Sequence, residues 1–146
     1  MQVGMVGLGK MGSSMTARLL AGGHEVHAYD LSREAIEAAE ARGASGAGNL
    51  RELVEGLSKP RAVWVMVPGG KATEETLSQV AQLVENNDVV IDGGNSNYKD
   101  SMRRAASFSQ RGVHFLDVGT SGGIWGLKEG YSLMIGGDPG AAEGLR

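Results

Sequence analysis

Residues 3–12 read VGMVGLGKMG, and the order of residue types in this stretch decides the fold. Val3 to Val6 is a short β-rich run, and Gly7, Gly9 and Gly12 follow it in G-x-G-x-x-G spacing. From Lys10 to Leu20 the apolar residues Met11, Met15 and Leu19 recur every fourth position, one face of a helix that Gly22 and Gly23 end. A second strand, Glu25 to Tyr29, leads to Asp30, which lies 18 residues after Gly12. A strand, a glycine turn that opens a helix, and an acidic residue at the end of the next strand make a dinucleotide-binding βαβ unit. In it Gly7 makes the tight turn, Gly9 lets a pyrophosphate approach the amides at the helix N-terminus, and Gly12 lets the helix pack closely. Gly7, Leu8, Gly9, Lys10, Met11 and Gly12 are therefore candidate cofactor contacts, set against the alternative of a purely structural turn.

Working outward, short strands keep alternating with helical spacing. Ser32 reads as an N-cap with Glu34 in the first turn of a helix from Arg33 to Ala41, and Ala44 to Ser45 is a very short strand. Asn49 caps a helix to Leu57, and Ala62 to Val67 is a strand. A helix from Ala72 to Val84, a strand from Val89 to Asp92, a helix from Tyr98 to Gln110 and strands at Val113 to Val118 and Tyr131 to Ile135 follow. The fold class is α/β, a Rossmann-type doubly wound and mostly parallel sheet in a single domain over residues 1–146. Gly7/Gly9/Gly12, Gly69/Gly70, Gly93/Gly94 and Gly119/Gly122/Gly123 each follow a strand's carboxyl end, the edge where such sheets bind ligands. Near the end, Asp138, Pro139 and Gly140 look like a helix start with barely one turn after it, so the chain reads as the front part of a longer protein.

Composition narrows the function. With 146 residues, 41% hydrophobic, 21% charged and a formal charge of −3, the chain is one soluble domain with a core. Its longest apolar run, Ala62 to Val67, is far short of the ~20 residues of a membrane span. There is no basic block for nucleic acid or an anionic membrane. With no cysteine, and with His24, His27 and His114 out of ligand spacing, neither a disulfide framework nor a zinc site is expected.

Asp30 can take hydrogen bonds from both hydroxyls of an adenine ribose, and its charge repels a 2′-phosphate, so NAD is preferred. Arg33 nearby leaves NADP open, and Asp30 can instead simply start the turn before Ser32. Further along, Asp92-Gly93-Gly94-Asn95-Ser96-Asn97 sets an amide at a strand end, either as a left-handed turn residue or as a ligand contact. Thr120-Ser121-Gly122-Gly123 offers a hydroxyl and successive amides, either a tight turn or a nest for a carboxylate or phosphate.

GLGKMG at 7–12, DGGNS at 92–96 and LDVGTSGGIWGLKEGY at 116–131 together closely resemble decarboxylating 6-phosphogluconate dehydrogenase, over essentially the whole chain as that family's N-terminal domain. The related 3-hydroxyisobutyrate dehydrogenases share the GxGxMG start and the SGG but lack DGGN. The resemblance implies that Gly7 to Gly12, Asp30, Leu31, Ser32, Val67, Pro68 and Gly69 hold the dinucleotide. It implies that Asn95 touches nicotinamide and substrate, and that Ser121, Gly122 and Gly123 bind the sugar acid. Long NADP-dependent members have Asn-Arg where this chain has Asp30-Leu31, and two acidic residues where it has Ile124-Trp125, so the chain resembles the shorter, NAD-preferring branch.

The resemblance also implies a reaction. Hydride leaves C3 of a phosphorylated sugar acid for nicotinamide, and the 3-keto acid loses CO₂ to give ribulose 5-phosphate in the pentose phosphate pathway. The catalytic lysine and glutamate of the family lie in a helical region after this domain, so the catalytic residues are expected beyond the chain end, and Lys128 reads as a solvated loop residue. A cytoplasmic, homo-oligomeric parent enzyme follows from the same likeness. The alternatives are another β-hydroxyacid dehydrogenase, a non-catalytic dinucleotide sensor, and a methyltransferase using the same sheet. Gly12 and DGGN argue against the methyltransferase.

Overall fold

The computed structural model describes residues 1–67, 70–94, 97–121, 132–137, 140 and 143, with backbone alone for Tyr98, Thr120, Ser121 and 132–134. Of the expected site residues, Pro68, Gly69, Asn95, Gly122 and Gly123 lie outside the described residues, as do Ile124, Trp125, Lys128, Tyr131 and the helix start at Asp138-Pro139.

Strands β1 (Gln2–Val6), β2 (Glu25–Tyr29), β3 (Ser45–Gly46), β4 (Ala62–Val65), β5 (Val89–Asp92), β6 (His114–Ser121) and β7 (Ser132–Gly137) form one sheet in the order β3-β2-β1-β4-β5-β6-β7. Every neighbouring pair is parallel except β6 and β7, which run antiparallel. Helices α1 (Lys10–Ala21), α2 (Arg33–Ala41), α3 (Leu50–Glu55), α4 (Lys71–Ala81) and α5 (Tyr98–Ser109) alternate with the strands. The chain moves outward from β1 to β3 and then returns to β1's other side with β4. The order reverses between β1 and β4, where a crevice opens at the carboxyl ends.

Two apolar layers cover the sheet. Met5, Ala28 and Val26 pack with Met15, Ile36 and Ala39 of α1 and α2. Val63, Val65 and Val90 pack with Leu53, Val54, Leu77, Val80 and Phe108 of α3, α4 and α5. The central strands are buried on both sides, as a parallel sheet between helices requires. Burial of a side chain such as Leu53, fully shielded from solvent, stabilises by about 2 kcal/mol. No helix among the described residues is long and apolar enough to cross a membrane.

Local signals fix most helix starts. The Ser32 hydroxyl accepts from the Ala35 amide at 3.3 Å, Asn49 from Glu52 at 2.8 Å and Asn97 from Lys99 at 2.9 Å. Strand β6 departs from expectation by running to Ser121, because β7 pairs with its last residues, Thr120 opposite Leu133 and Ser121 opposite Ser132. Gly119 therefore lies within the ladder, opposite Met134, and does not follow the strand. Strand β4 is shorter than expected and leaves the ladder after Val65. The Met66 amide still donates to the Val6 carbonyl at 2.7 Å, and Val67 is released into the crevice wall.

Candidate functional site

Gly7 ends β1 with φ +99, a conformation that L side chains rarely adopt, and a Cβ there would run into the Met66 carbonyl oxygen. Gly12, in the first turn of α1, would drive a Cβ into the Gly7 carbonyl oxygen. Those two glycines bring the helix onto the turn. Gly9 differs, because a Cβ there meets nothing within 4 Å. Gly9 is also the N-cap of α1, with no side chain capping the amides and no acidic residue in the first turn. Across the crevice α4 likewise starts at a glycine, Gly70, without a side-chain cap. At α1 the first amides, with no side chain capping them, are thus left to whatever occupies the crevice.

Asp30 locks the turn from the β2 side. Its Oδ2 accepts from the Leu8 amide at 2.7 Å and its Oδ1 from the Ser32 amide at 2.8 Å. It does open the turn before Ser32, and each carboxylate oxygen retains a lone pair for a further donor. Leu31 beside it is 95% exposed, an apolar side chain held in solvent at the rim.

Two hollows flank the glycine turn. One of about 350 Å³ is walled by Gly7, Tyr29, Asp30, Leu31, Ala72 and Thr76. The other, about 260 Å³, is walled by Gly9, Met11, Met66, Gly93 and Gly94. Val67 borders both. Sequence reasoning missed Ala72, Thr76 and Gln79, the face that α4 turns toward the first hollow. Their i, i+4, i+7 spacing was the available signal. Gly93 and Gly94 also have a reason that the sequence hid. A Cβ on Gly93 would strike the Trp64 indole nitrogen, and one on Gly94 would lie 2.8 Å from the Val67 carbonyl oxygen. These two are glycine because other parts of the protein crowd them. Ser121 sits with its backbone in β6, in a ladder with β7.

A larger cavity of about 700 Å³ lies at the opposite edge, among the strand starts Gln2, Glu25, Ala62, Val89 and His114. It contains none of the expected site residues. Its two basic side chains, Lys59 and Arg61, are engaged, the first by Glu85 at 2.5 Å and the second by Asp88 at 3.4 Å.

Behind the second hollow lies a charged cluster. Arg104 of α5 donates Nε and Nη2 to Glu74 Oε2 at 3.0 and 2.8 Å, and Nη1 to Asp92 Oδ2 at 3.3 Å. Arg103 adds two bonds to Glu74, at 3.1 and 3.0 Å. The hydrogen bonds from Arg103 and then Arg104 hold the Glu74 carboxyl down at about 2, from an ordinary 4.5. Burial pushes the Asp117 carboxyl up, and the neighbouring Asp92 charge adds to that.

A depressed carboxyl stabilises the fold above its unfolded value, so the Glu74 contribution is complete above pH 4.5 and lost as pH falls toward about 2. With the side chain 41% exposed, solvent screening leaves on the order of 1–2 kcal/mol. Glu74→Gln should lower stability by that amount at pH 6, and urea titrations should show the gap shrinking by about half by pH 3.

The NAD binding domain of 6-phosphogluconate dehydrogenase, as a family model, matches residues 2–146. The chain belongs to this family. It is 45% identical over 99% of its length to the NAD(+)-dependent, decarboxylating 6-phosphogluconate dehydrogenase of Haloferax volcanii, and covers 48% of that protein. It is 36% identical over 93% of its length to the decarboxylating 6-phosphogluconate dehydrogenase of Staphylococcus aureus, covering 30% of it. Among solved structures, Plasmodium falciparum 6-phosphogluconate dehydrogenase matches with a TM-score of 0.88 and 30% identity, over 98% of this chain and 32% of that one. That protein was solved with its cofactor NADP+ and with its substrate 6-phosphogluconate. Mycobacterium tuberculosis 3-hydroxyisobutyrate dehydrogenase matches with a TM-score of 0.87 and 27% identity, over 99% of this chain and 49% of that one. The chain spans half or less of the length of each of these relatives. It is an NAD-binding domain of the 6-phosphogluconate and β-hydroxyacid dehydrogenase type, with a Rossmann-like sheet.

Proposed function

We propose that this domain serves an NAD-dependent 6-phosphogluconate dehydrogenase, which oxidises and decarboxylates 6-phospho-D-gluconate to ribulose 5-phosphate in the pentose phosphate pathway. The observation that carries the reading is the pairing of an uncapped, glycine-lined α1 N-terminus with a carboxylate at the end of β2. The residues present fit a dinucleotide. Space opens at Gly9 where a pyrophosphate would meet free amides, and Asp30 faces the hollow on the ribose side.

In this reading Gly7, Leu8, Gly9, Lys10, Met11 and Gly12 hold the pyrophosphate, and Asp30, Leu31 and Ser32 hold the adenosine ribose. Val67, which borders both hollows, joins Pro68 and Gly69 in holding the dinucleotide, the last two on the family resemblance alone. By the same resemblance Asn95 is assigned to contact nicotinamide and substrate, and Ser121, Gly122 and Gly123 to hold the sugar acid. The cofactor, when bound, supplies a hydride acceptor. The domain's own residues orient it and exclude water, while the general base and acid belong to the helical region that follows this domain in the family. The enzyme in this reading is a cytoplasmic homo-oligomer.

Asp30 also argues for NAD over NADP, because a 2′-phosphate would stand beside a carboxylate already held in place by two amides. The likeness to 3-hydroxyisobutyrate dehydrogenase supports a second reading with a smaller β-hydroxyacid as substrate. DGGN at 92–95 favours the sugar acid. NADH formation by the domain joined to its helical partner decides between them. Turnover of 6-phosphogluconate at least tenfold above that of 3-hydroxyisobutyrate is expected, and the reverse order overturns the first reading. The 146-residue chain alone should bind cofactor without turnover, and NADH production by it would mean that the base lies within these residues.

A further inference from the structure

The turn at Gly93-Gly94 forms a wall of the hollow on the far side of the α1 N-terminus from Asp30. If the ribose nearest Asp30 is the adenosine one, this wall faces the nicotinamide half. Its shape comes from beneath. The Gly93 amide continues the ladder to the Val65 carbonyl at 2.8 Å, and the Gly94 amide then bends back onto Asp92 Oδ1 at 2.9 Å. The other oxygen of Asp92 is gripped by Arg104, and both side chains are buried, at 0% and 6% exposure. The remaining face of the Arg104 guanidinium forks onto Glu74 in the first turn of α4.

We propose that Arg104 is a positioning residue: it braces Asp92 from Glu74 so that the Gly93-Gly94 turn is held in place, fixing the nicotinamide half of the crevice without touching the ligand. A guanidinium suits this task, since its planar donors reach two carboxylates in different directions at once. A lysine at the same place brings the charge but can satisfy only one carboxylate well. Arg103 reinforces the Glu74 end from the exposed side, with its own side chain 59% exposed, and does not reach Asp92 in the described contacts. The adenosine half keeps its own ties when Arg104 is changed, because Asp30 is anchored on Leu8 and Ser32, and Arg103 still holds Glu74 of α4, the helix that turns Ala72 and Thr76 toward that hollow. The relay therefore acts on one end of the crevice.

The proposal rests on the dinucleotide reading, and its test separates the two. Arg104→Lys and Arg104→Gln are made in the 146-residue chain, with Arg104→Lys keeping the buried charge in case Arg104→Gln does not fold. Amide exchange at Gly94 is followed by NMR, and affinities are measured for NADH and for ADP-ribose, which lacks the nicotinamide ring. In Arg104→Lys, Gly94 exchange should rise tenfold or more while Val6, Val65 and Val90 keep their protection. NADH affinity should fall about five- to tenfold, and ADP-ribose affinity by less than twofold. Unchanged Gly94 exchange, or equal losses for both ligands, overturns the relay. A wild-type chain that binds neither ligand overturns the dinucleotide reading, and the Gly94 exchange then decides the relay by itself.

Discussion

Gly12→Ala is expected to destabilise the domain by about 3 kcal/mol, whereas Gly9→Ala should leave stability nearly unchanged and remove most of the cofactor affinity. The difference comes from what a methyl group would meet. At Gly12 it runs into the Gly7 carbonyl oxygen, a backbone atom that no rotamer change can move. The helix must then retreat from the turn, and the packing of Met15 against Met5 and Ala28 goes with it. A loss of that size is a large share of the roughly 5–15 kcal/mol that holds a domain folded. At Gly9 the backbone φ is −64, ordinary for alanine, and nothing in the protein lies within 4 Å of the added carbon. In the proposed reading that empty space is where a pyrophosphate meets the helix amides. A methyl group there should cost tenfold to a hundredfold in affinity, about 1.4–2.8 kcal/mol. Thermal melts and NADH titrations on the two variants check both halves of the prediction. Equal behaviour of the two would mean that the glycines share a single structural role.

Asp30→Ala should carry the next largest effect, on stability and on ligand choice together. It deletes acceptors for the Leu8 and Ser32 amides, and hydrogen bonds to a charged group contribute about 1.5–3 kcal/mol each. Partial exposure reduces the sum to about 2–3 kcal/mol. The Gly7–Leu8 backbone loses its tie to β2 at the same time, so NAD affinity should drop at least tenfold. Asp30→Asn keeps a carbonyl acceptor and removes the charge. It should be far less destabilising, and should narrow the preference for NAD over NADP by about 1 kcal/mol, the relieved repulsion of the 2′-phosphate. Calorimetric titration with both nucleotides measures this. Wild-type binding of NADP as tight as that of NAD would show that Asp30 acts only as the anchor of the turn.

The parts legible in the sequence were those fixed by neighbours close along the chain. Strands β1, β2 and β5, the start of α1 and the caps Ser32 and Asn49 follow from local pattern, and the structure has them where the pattern puts them. The glycine turn and Asp30 were legible for the same reason, as one βαβ unit. What depended on a distant partner was not. The extra length of β6 comes from β7, and nothing in Gly119-Thr120-Ser121 announces a strand, since alternating apolar residues are absent there. Nothing in the local sequence around Arg104 marks it out from its neighbour Arg103. Only the carboxylates of Asp92 and Glu74, from β5 and α4, make it a buried tie. The hollow beside Asp30 was half visible. Asp30 and Leu31 were evident, while Ala72 and Thr76 join them only because α4 starts beside the β1–β4 reversal.

The most direct test of the account is NMR mapping of NADH onto the chain, which distinguishes the crevice from the larger cavity at the opposite edge. The account predicts amide shift changes at Leu8, Gly9, Lys10, Met11 and Gly12, at Leu31, and at Gly93 and Gly94 across the crevice. It predicts none at Gln2, Glu25, Arg61 or Asn87, which line the other cavity. Shifts confined to that second group, with Leu8 to Gly12 unmoved at saturating NADH, would contradict it.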